Sequence, residues 1–123
     1  MARILLAEDE SHIVRVLSLW LGRHGHDVRE AADGAIALKI MDEEPIDLII
    51  CDMNMPVVSG AQLVRAVREE KGLNLPIFMV TARCDQTQLA EEMKQYDVRI
   101  YPKPFVPSRL VAEIDKLLGA AIQ

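Results

Sequence analysis

The chain alternates short apolar runs with amphipathic stretches, and most of the runs end on isolated polar residues. Ile4-Leu5-Leu6-Ala7 leads to Glu8 and Asp9, Leu48-Ile49-Ile50-Cys51 to Asp52, Ile77-Phe78-Met79-Val80 to Thr81, and Val98–Pro102 to Lys103. The runs are continuous in their apolarity, as strands buried on both faces are. Strands that alternate with helices pair in parallel and carry the helices on both faces of the sheet. Right-handed crossovers leave few ways to connect them. The pattern therefore predicts an α/β fold: a flavodoxin-like, doubly wound, five-stranded parallel sheet in the order 2-1-3-4-5, with five helices. In that order the ligand crevice lies outside the carboxyl ends of strands 1 and 3. Glu8, Asp9 and Asp52 fall at those ends.

Local signals set the expected elements. Arg3–Ala7 is the first strand, and Ser11 is the expected cap of a helix with Val14, Leu17 and Leu21 on one face. Gly25 suits the left-handed turn that ends it. Asp27–Ala31 reads as the second strand. Asp33 is the expected cap of a helix over Ala35–Asp42 that buries Ile36, Leu38 or Ala37, and Ile40, and Pro45 stops it. Asp47–Cys51 reads as the third strand, followed by a loop over Asp52–Gly60. Leu63, Val64 and Val67 mark the third helix, which Gly72 ends. Ile77–Thr81 and Val98–Tyr101 are the last two strands, with a weakly amphipathic helix over Gln86–Met93 between them. Pro107 opens the final helix, a position where a missing N–H is tolerated. Leu110, Val111, Ile114, Leu117 and Leu118 form its apolar face.

The 123 residues fit one domain, 1–123, with half of them apolar. No linker, repeat or low-complexity segment interrupts the sequence. The net charge of −5 disfavours direct nucleic acid binding, which needs a basic surface. Two cysteines without metal-ligand spacing suggest neither a disulfide framework nor a zinc site, and point to a reducing compartment. No basic leader precedes a long apolar segment, so no signal peptide is expected. No stretch approaches the roughly 20 apolar residues that span a bilayer. These features predict a cytoplasmic protein without membrane contact.

Three carboxylates gathered at one sheet edge repel one another unless a cation intervenes. A hard divalent ion fits, and Mg²⁺ favours one or two carboxylates with waters and a phosphate. Three carboxylates balance Mg²⁺ and the Lys103 ammonium, so a phosphoryl donor could approach without net repulsion. An Asp52 oxygen could attack phosphorus in line while the metal and Lys103 hold the equatorial oxygens. Thr81 could donate a hydrogen bond to the product, an acyl phosphate.

With these residues the chain resembles the receiver domain of two-component response regulators, the CheY-like family, over essentially its whole length. The resemblance rests on Ile4-Leu5-Leu6-Ala7-Glu8-Asp9-Glu10, Asp33-Gly34, Asp52-Met53-Asn54-Met55-Pro56 with Ser59-Gly60, Val80-Thr81-Ala82 and Lys103-Pro104-Phe105. Each motif is weak alone; in order and at strand ends they are specific. The resemblance implies that Asp52 accepts a phosphoryl group from the phosphohistidine of a sensor kinase or phosphotransfer protein. It implies that Asp9, Asp52 and the Asn54 backbone carbonyl bind Mg²⁺ directly and that Glu8 acts through water. Lys103 and Thr81 would contact the phosphoryl group, and Ala82 would leave it room. A cis peptide between Lys103 and Pro104 is implied as well. Phosphorylation would then switch the helix 4/strand 5/helix 5 surface toward a downstream target or a fused output domain, and a phosphorylation-dependent dimer fits the same scheme. Asn54 and Arg83 would flank the path of the attacking water.

Two departures from the family pattern stand out. Receivers usually carry an aromatic three residues before the lysine. Here that position is Ile100, and Tyr101 comes one residue later, which points its ring to the opposite face of the strand. A small residue, commonly glycine, is expected near Tyr96, so the loop before the fifth strand is expected to differ. Other functions fit less well. A haloacid-dehalogenase-like phosphatase needs an acid two residues after its nucleophile, and Asn54 stands there. A nucleotide or flavin domain cradles phosphate on its first strand-helix turn, and Glu8-Asp9-Glu10 would repel one. Cys51 and Cys84 read as packing residues, Met53 and Met55 as gap fillers, and Trp20 as a partly buried packing residue. His12, His24 and His26 read as surface residues.

Overall fold

A computed structural model describes residues 2–82 and 86–122, the side chains of 86, 87 and 120–122 apart. The strands are β1 (Arg3–Ala7), β2 (Asp27–Ala31), β3 (Leu48–Asp52), β4 (Ile77–Thr81) and β5 (Val98–Pro102). The helices are α1 (Ser11–Arg23), α2 (Gly34–Glu43), α3 (Gly60–Arg65), α4 (Gln86–Met93) and α5 (Pro107–Ile122). All neighbouring strands are parallel, and the sheet order is β2-β1-β3-β4-β5. The expected fold and topology are therefore observed.

Two cores sandwich the sheet because alternate strand residues face opposite ways. Leu5, Ile49 and Met79 face α2, α3 and α4, where they meet Ala37, Leu63, Val67 and Leu89. Ile4, Leu6, Ile50 and Phe78 face α1 and α5, where they meet Leu17, Leu21, Val111 and Ile114. β1, β3 and β4 are almost wholly buried, whereas the edge strand β5 is only partly covered. Among the described residues no helix is long and apolar enough to cross a membrane.

The local signals were mostly sound, with instructive exceptions. Asp33 caps α2 by accepting from the Ile36 N–H at 2.9 Å. Gly25 takes φ +84°, and Gly72 takes φ +64°. Ser11 is not the cap of α1: Glu10 holds that place in extended conformation, and Ser11 is already helical. Ile36 is exposed, because the inward face of α2 is set by Gly34 and Ala37. β3 begins one residue later than expected. Asp47 instead turns its carboxylate to accept from the Arg3 N–H at 2.8 Å, and Asp52 closes the strand. The cap of α3 is a reciprocal box. Ser59 accepts from the Gln62 N–H, and the Gln62 side chain accepts from the Ser59 N–H.

α3 continues as a π-helical turn over Ala66–Glu70, where the Lys71 N–H reaches back to the Ala66 carbonyl at 2.9 Å. Arg68 lies on this turn, and its guanidinium donates to the carbonyls of Leu73, Leu75, Tyr96 and Asp97. It thereby ties the segments before β4 and β5 together. Next to Tyr96, Asp97 adopts left-handed backbone at φ 54°. Aspartate is one of the few side chains other than glycine that visits this region.

Candidate functional site

Each site residue sits where a strand ends. β1 stops at Ala7, and the chain bends at Asp9 before α1. Glu8 is buried, whereas Asp9 and Glu10 are exposed. Glu8 is 1% exposed, and its backbone N–H donates to the Ala31 carbonyl at 2.9 Å, an extension of the β1–β2 ladder. Asp52 is 4% exposed at the end of β3, and Thr81 is fully buried at the end of β4. The Lys103 N–H donates to the Thr81 carbonyl at 2.8 Å, which brings the residue after β5 alongside β4. The Lys103–Pro104 peptide is cis, as the resemblance implied.

The Lys103 ammonium faces three carboxylates. It donates to Glu8 Oε1 at 2.6 Å and to Glu10 Oε1 at 3.0 Å, and stands 3.5 Å from Asp52 Oδ2. The carboxylates of Glu8, Glu10 and Asp52 lie within 4.8 Å of one another. Among the described residues Asp9 is exposed, on the bend after β1, and lies outside that group. Glu10 takes the third place. Glu10 was not expected among the site residues, since only the position of Lys103 gives it a partner. Asn54 is exposed in the loop after β3, and Ala82 is exposed after Thr81. Arg83 and Cys84 lie outside the described residues.

The loop from Asp52 to Gly60 is held by two close backbone approaches. A Cβ on Gly60 would lie 2.2 Å from the Asp52 carbonyl oxygen, and one on Gly34 would lie 2.5 Å from the Val58 carbonyl oxygen. Neither position admits a side chain without displacing backbone. Met53 and Met55 fill space under the loop, as expected. Val57, at the exposed tip, has φ 68°.

Burial sets the charge balance. It pushes the Glu8 carboxyl up to about 7, against the lowering influence of Lys103, and the neighbouring Asp52 adds to the rise. Lys103 is held firmly cationic by Glu8, Glu10 and Asp52 in spite of its own desolvation. Glu10, exposed, is held below the usual carboxylate range by its bond to Lys103. The Cys51 thiol is pushed up to about 12 by full burial, which makes it an inert packing group as expected.

The three carboxylates suit a hard cation that takes oxygen ligands, and the buried Glu8 and Asp52 would otherwise hold anionic charge against a single ammonium. The cluster lies at the switch point between β1 and β3, where doubly wound sheets bind their ligands. A groove of about 440 Å³ opens beside it, with Glu10, Ile13, Val16, Lys103 and Phe105 in its wall.

Tyr101 points away from Thr81. Met79 and Ile100 share the α2–α4 side of the sheet, while Tyr101 packs on the α1–α5 side against Phe78. The histidines divide. His12 is exposed, 3.7 Å from Glu10. His24 and His26 both hydrogen bond Asp115 of α5, His26 at 2.5 Å. His26 is not a surface residue: its side chain is only 7% exposed, and its Nδ1 accepts from the Ala2 N–H.

A doubly wound domain with buried acids and a lysine at its switch point defines a class that comparison with known proteins names. Residues 4–115 match the family model described as response regulator receiver domain, and the chain belongs to that family of two-component signalling domains. It is 34% identical over 116 residues to the alkaline phosphatase synthesis transcriptional regulatory protein PhoP of Bacillus subtilis, covering 94% of this chain and 48% of that protein. The chain thus spans about half the length of such curated transcriptional regulators. It is also 33% identical to a chemotaxis protein CheY homolog of Campylobacter jejuni, covering 95% of this chain and 92% of that protein. Among solved structures, the chemotaxis response regulator CheY4 of Vibrio cholerae matches with a TM-score of 0.85 and 33% identity, covering 94% and 98% of the two chains.

Proposed function

We propose that residues 1–123 act as one receiver domain in which Asp52 is the phosphoryl acceptor. The observation that carries this reading is the placement of Asp52, buried at the end of β3 and 3.5 Å from the Lys103 ammonium. In this reading an Asp52 carboxylate oxygen attacks phosphorus in line. A P–O bond forms as the P–N bond of a donor phosphohistidine breaks, and the electron pair leaves with the imidazole nitrogen. Lys103 holds a phosphoryl oxygen where charge accumulates. The Thr81 hydroxyl donates to another, and Ala82 leaves space beside it. Water approaching beside Asn54 later hydrolyses the acyl phosphate.

Mg²⁺ fits the donor set and, when bound, would supply charge neutralisation at the carboxylates and at the transferring group. Asp52 and the Asn54 carbonyl would hold it directly, Asp9 would join them by turning its side chain inward, and Glu8 would act through water. The donor would be a sensor histidine kinase or phosphotransfer protein in the cytoplasm. The output would be a protein partner or fused domain that reads the α4–β5–α5 surface, including by dimerisation. Such a switch works only through differential affinity: a hundredfold change in population needs roughly 2.7 kcal/mol.

The test is intact mass after incubation with acetyl phosphate, with and without Mg²⁺. A Mg²⁺-dependent gain of one phosphoryl group that is absent in Asp52→Asn is the expected result. No gain in the folded wild-type protein would sink the reading.

A further inference from the structure

Glu10 stands apart from the other acids of the site. It is the N-cap residue of α1, and its carbonyl accepts from the Ile13 and Val14 N–H groups, yet its side chain makes no cap bond to the helix. The carboxylate reaches instead across to Lys103 at 3.0 Å, with its side chain 45% exposed. Lys103 has three N–H donors. Glu8 and Glu10 take two of them, and both carboxylates belong to the segment between β1 and α1. The distance that remains to Asp52, 3.5 Å, is the longest of the three.

We infer that Glu10 is a latch on Lys103: a positioning residue that holds the ammonium away from the phosphoryl group and slows its transfer. The inference rests on the receiver reading proposed above. The two carboxylate bonds fix where the ammonium sits; for Lys103 to close on a phosphoryl group at Asp52 it must loosen one of them, and the Glu10 bond, at the exposed end of the cluster, is the one that competes. The same carboxylate adds a negative charge beside the groove that opens next to Lys103, which disfavours an anionic donor. Glu10 is not a metal ligand in this assignment, although its carboxylate lies within the acid cluster.

The prediction is that Glu10→Gln accelerates phosphorylation by acetyl phosphate about threefold to tenfold, the scale of one unit charge removed a few ångströms away in a solvated setting. Glu10→Asp keeps the charge but shortens the reach, and should fall between the two. Mg²⁺ affinity, measured by calorimetry, should fall by no more than about tenfold, the scale of one carboxylate charge lost a few ångströms from the ion but outside its coordination sphere. A rate unchanged or lowered in Glu10→Gln would overturn the latch, as would a Glu10→Asp variant no faster than wild type. A loss of Mg²⁺ affinity of a hundredfold or more would make Glu10 a ligand and overturn it too. If the wild-type protein itself takes no phosphoryl group, the receiver reading fails and the latch falls with it. If the wild type is phosphorylated but the variants match it, only the latch fails.

Discussion

Tyr101 stacks on Phe78, with ring centroids 5.7 Å apart and planes 26° from parallel, on the side of the sheet opposite to Thr81. Arg99 lies over the Phe78 ring, 5.9 Å from its centroid. The ring is therefore part of the α1–α5 core and cannot follow the threonine hydroxyl. A double-mutant cycle with Phe78→Leu and Tyr101→Leu should give a coupling of about 0.5–1.5 kcal/mol in urea denaturation. Tyr101→Leu should leave the rate of Asp52 phosphorylation unchanged. A large rate effect would show that the ring reports on the site after all.

The burial of Glu8 predicts a pH-dependent metal site. A carboxyl raised to about 7 carries a proton in the metal-free protein below that pH, and a cation must displace it. Apparent Mg²⁺ affinity should therefore rise between about pH 6 and pH 8, with proton release detected in buffers of different ionisation enthalpy. Glu8→Gln should flatten that dependence. Stability runs the other way. A raised carboxyl favours the folded state while protonated, so its contribution falls as pH climbs from 4.5 through about 7.

Asp115 predicts an acid limb. Burial works to raise its carboxyl, but hydrogen bonds from His26 and His24 outweigh that and hold it below the ordinary range. A depressed carboxyl contributes stability above its unfolded value and loses it as pH falls through the folded value. Asp115→Asn should lower thermal stability at neutral pH and remove part of the loss seen below about pH 4. Equal midpoints for both proteins at neutral pH would mean that this link between α1 and α5 contributes nothing.

The tip of the loop after β3 carries a correctable strain. Val57 has positive φ, which a β-branched residue rarely adopts. Val57→Gly should raise stability by about 1 kcal/mol, since the exposed side chain contributes little packing. A decrease in the urea midpoint would count against that account.

Much of this was legible in the sequence because strand ends are marked by abrupt changes of polarity. Ala7 to Glu8, Cys51 to Asp52 and Val80 to Thr81 each announced where a strand stops, and the order of the strands followed from connection rules. Ile36 misled because periodicity gives a helix face but not its rotation. Small residues at Gly34 and Ala37, where α2 approaches the sheet, settle that. His26 misled because nothing local reveals that Asp115, far along the chain, will meet it. Glu10 was missed for a different reason: acidic residues at a helix start are common, and only the position of Lys103 gives this one a partner. The π-helical turn and the four carbonyl bonds of Arg68 have no pattern in sequence at all.

The close contact at Gly60 has a consequence for how this domain can vary. A methyl group there would be driven into the carbonyl of Asp52, so Gly60→Ala should lower stability by about 1–3 kcal/mol. The more telling effect is on geometry. The helix that begins at Gly60 acts as a doorstop against the back of the proposed acceptor, and its thickness is set by a side chain that is missing. Alignment of the attacking oxygen is thus guarded from behind, at a position that carries no chemistry of its own.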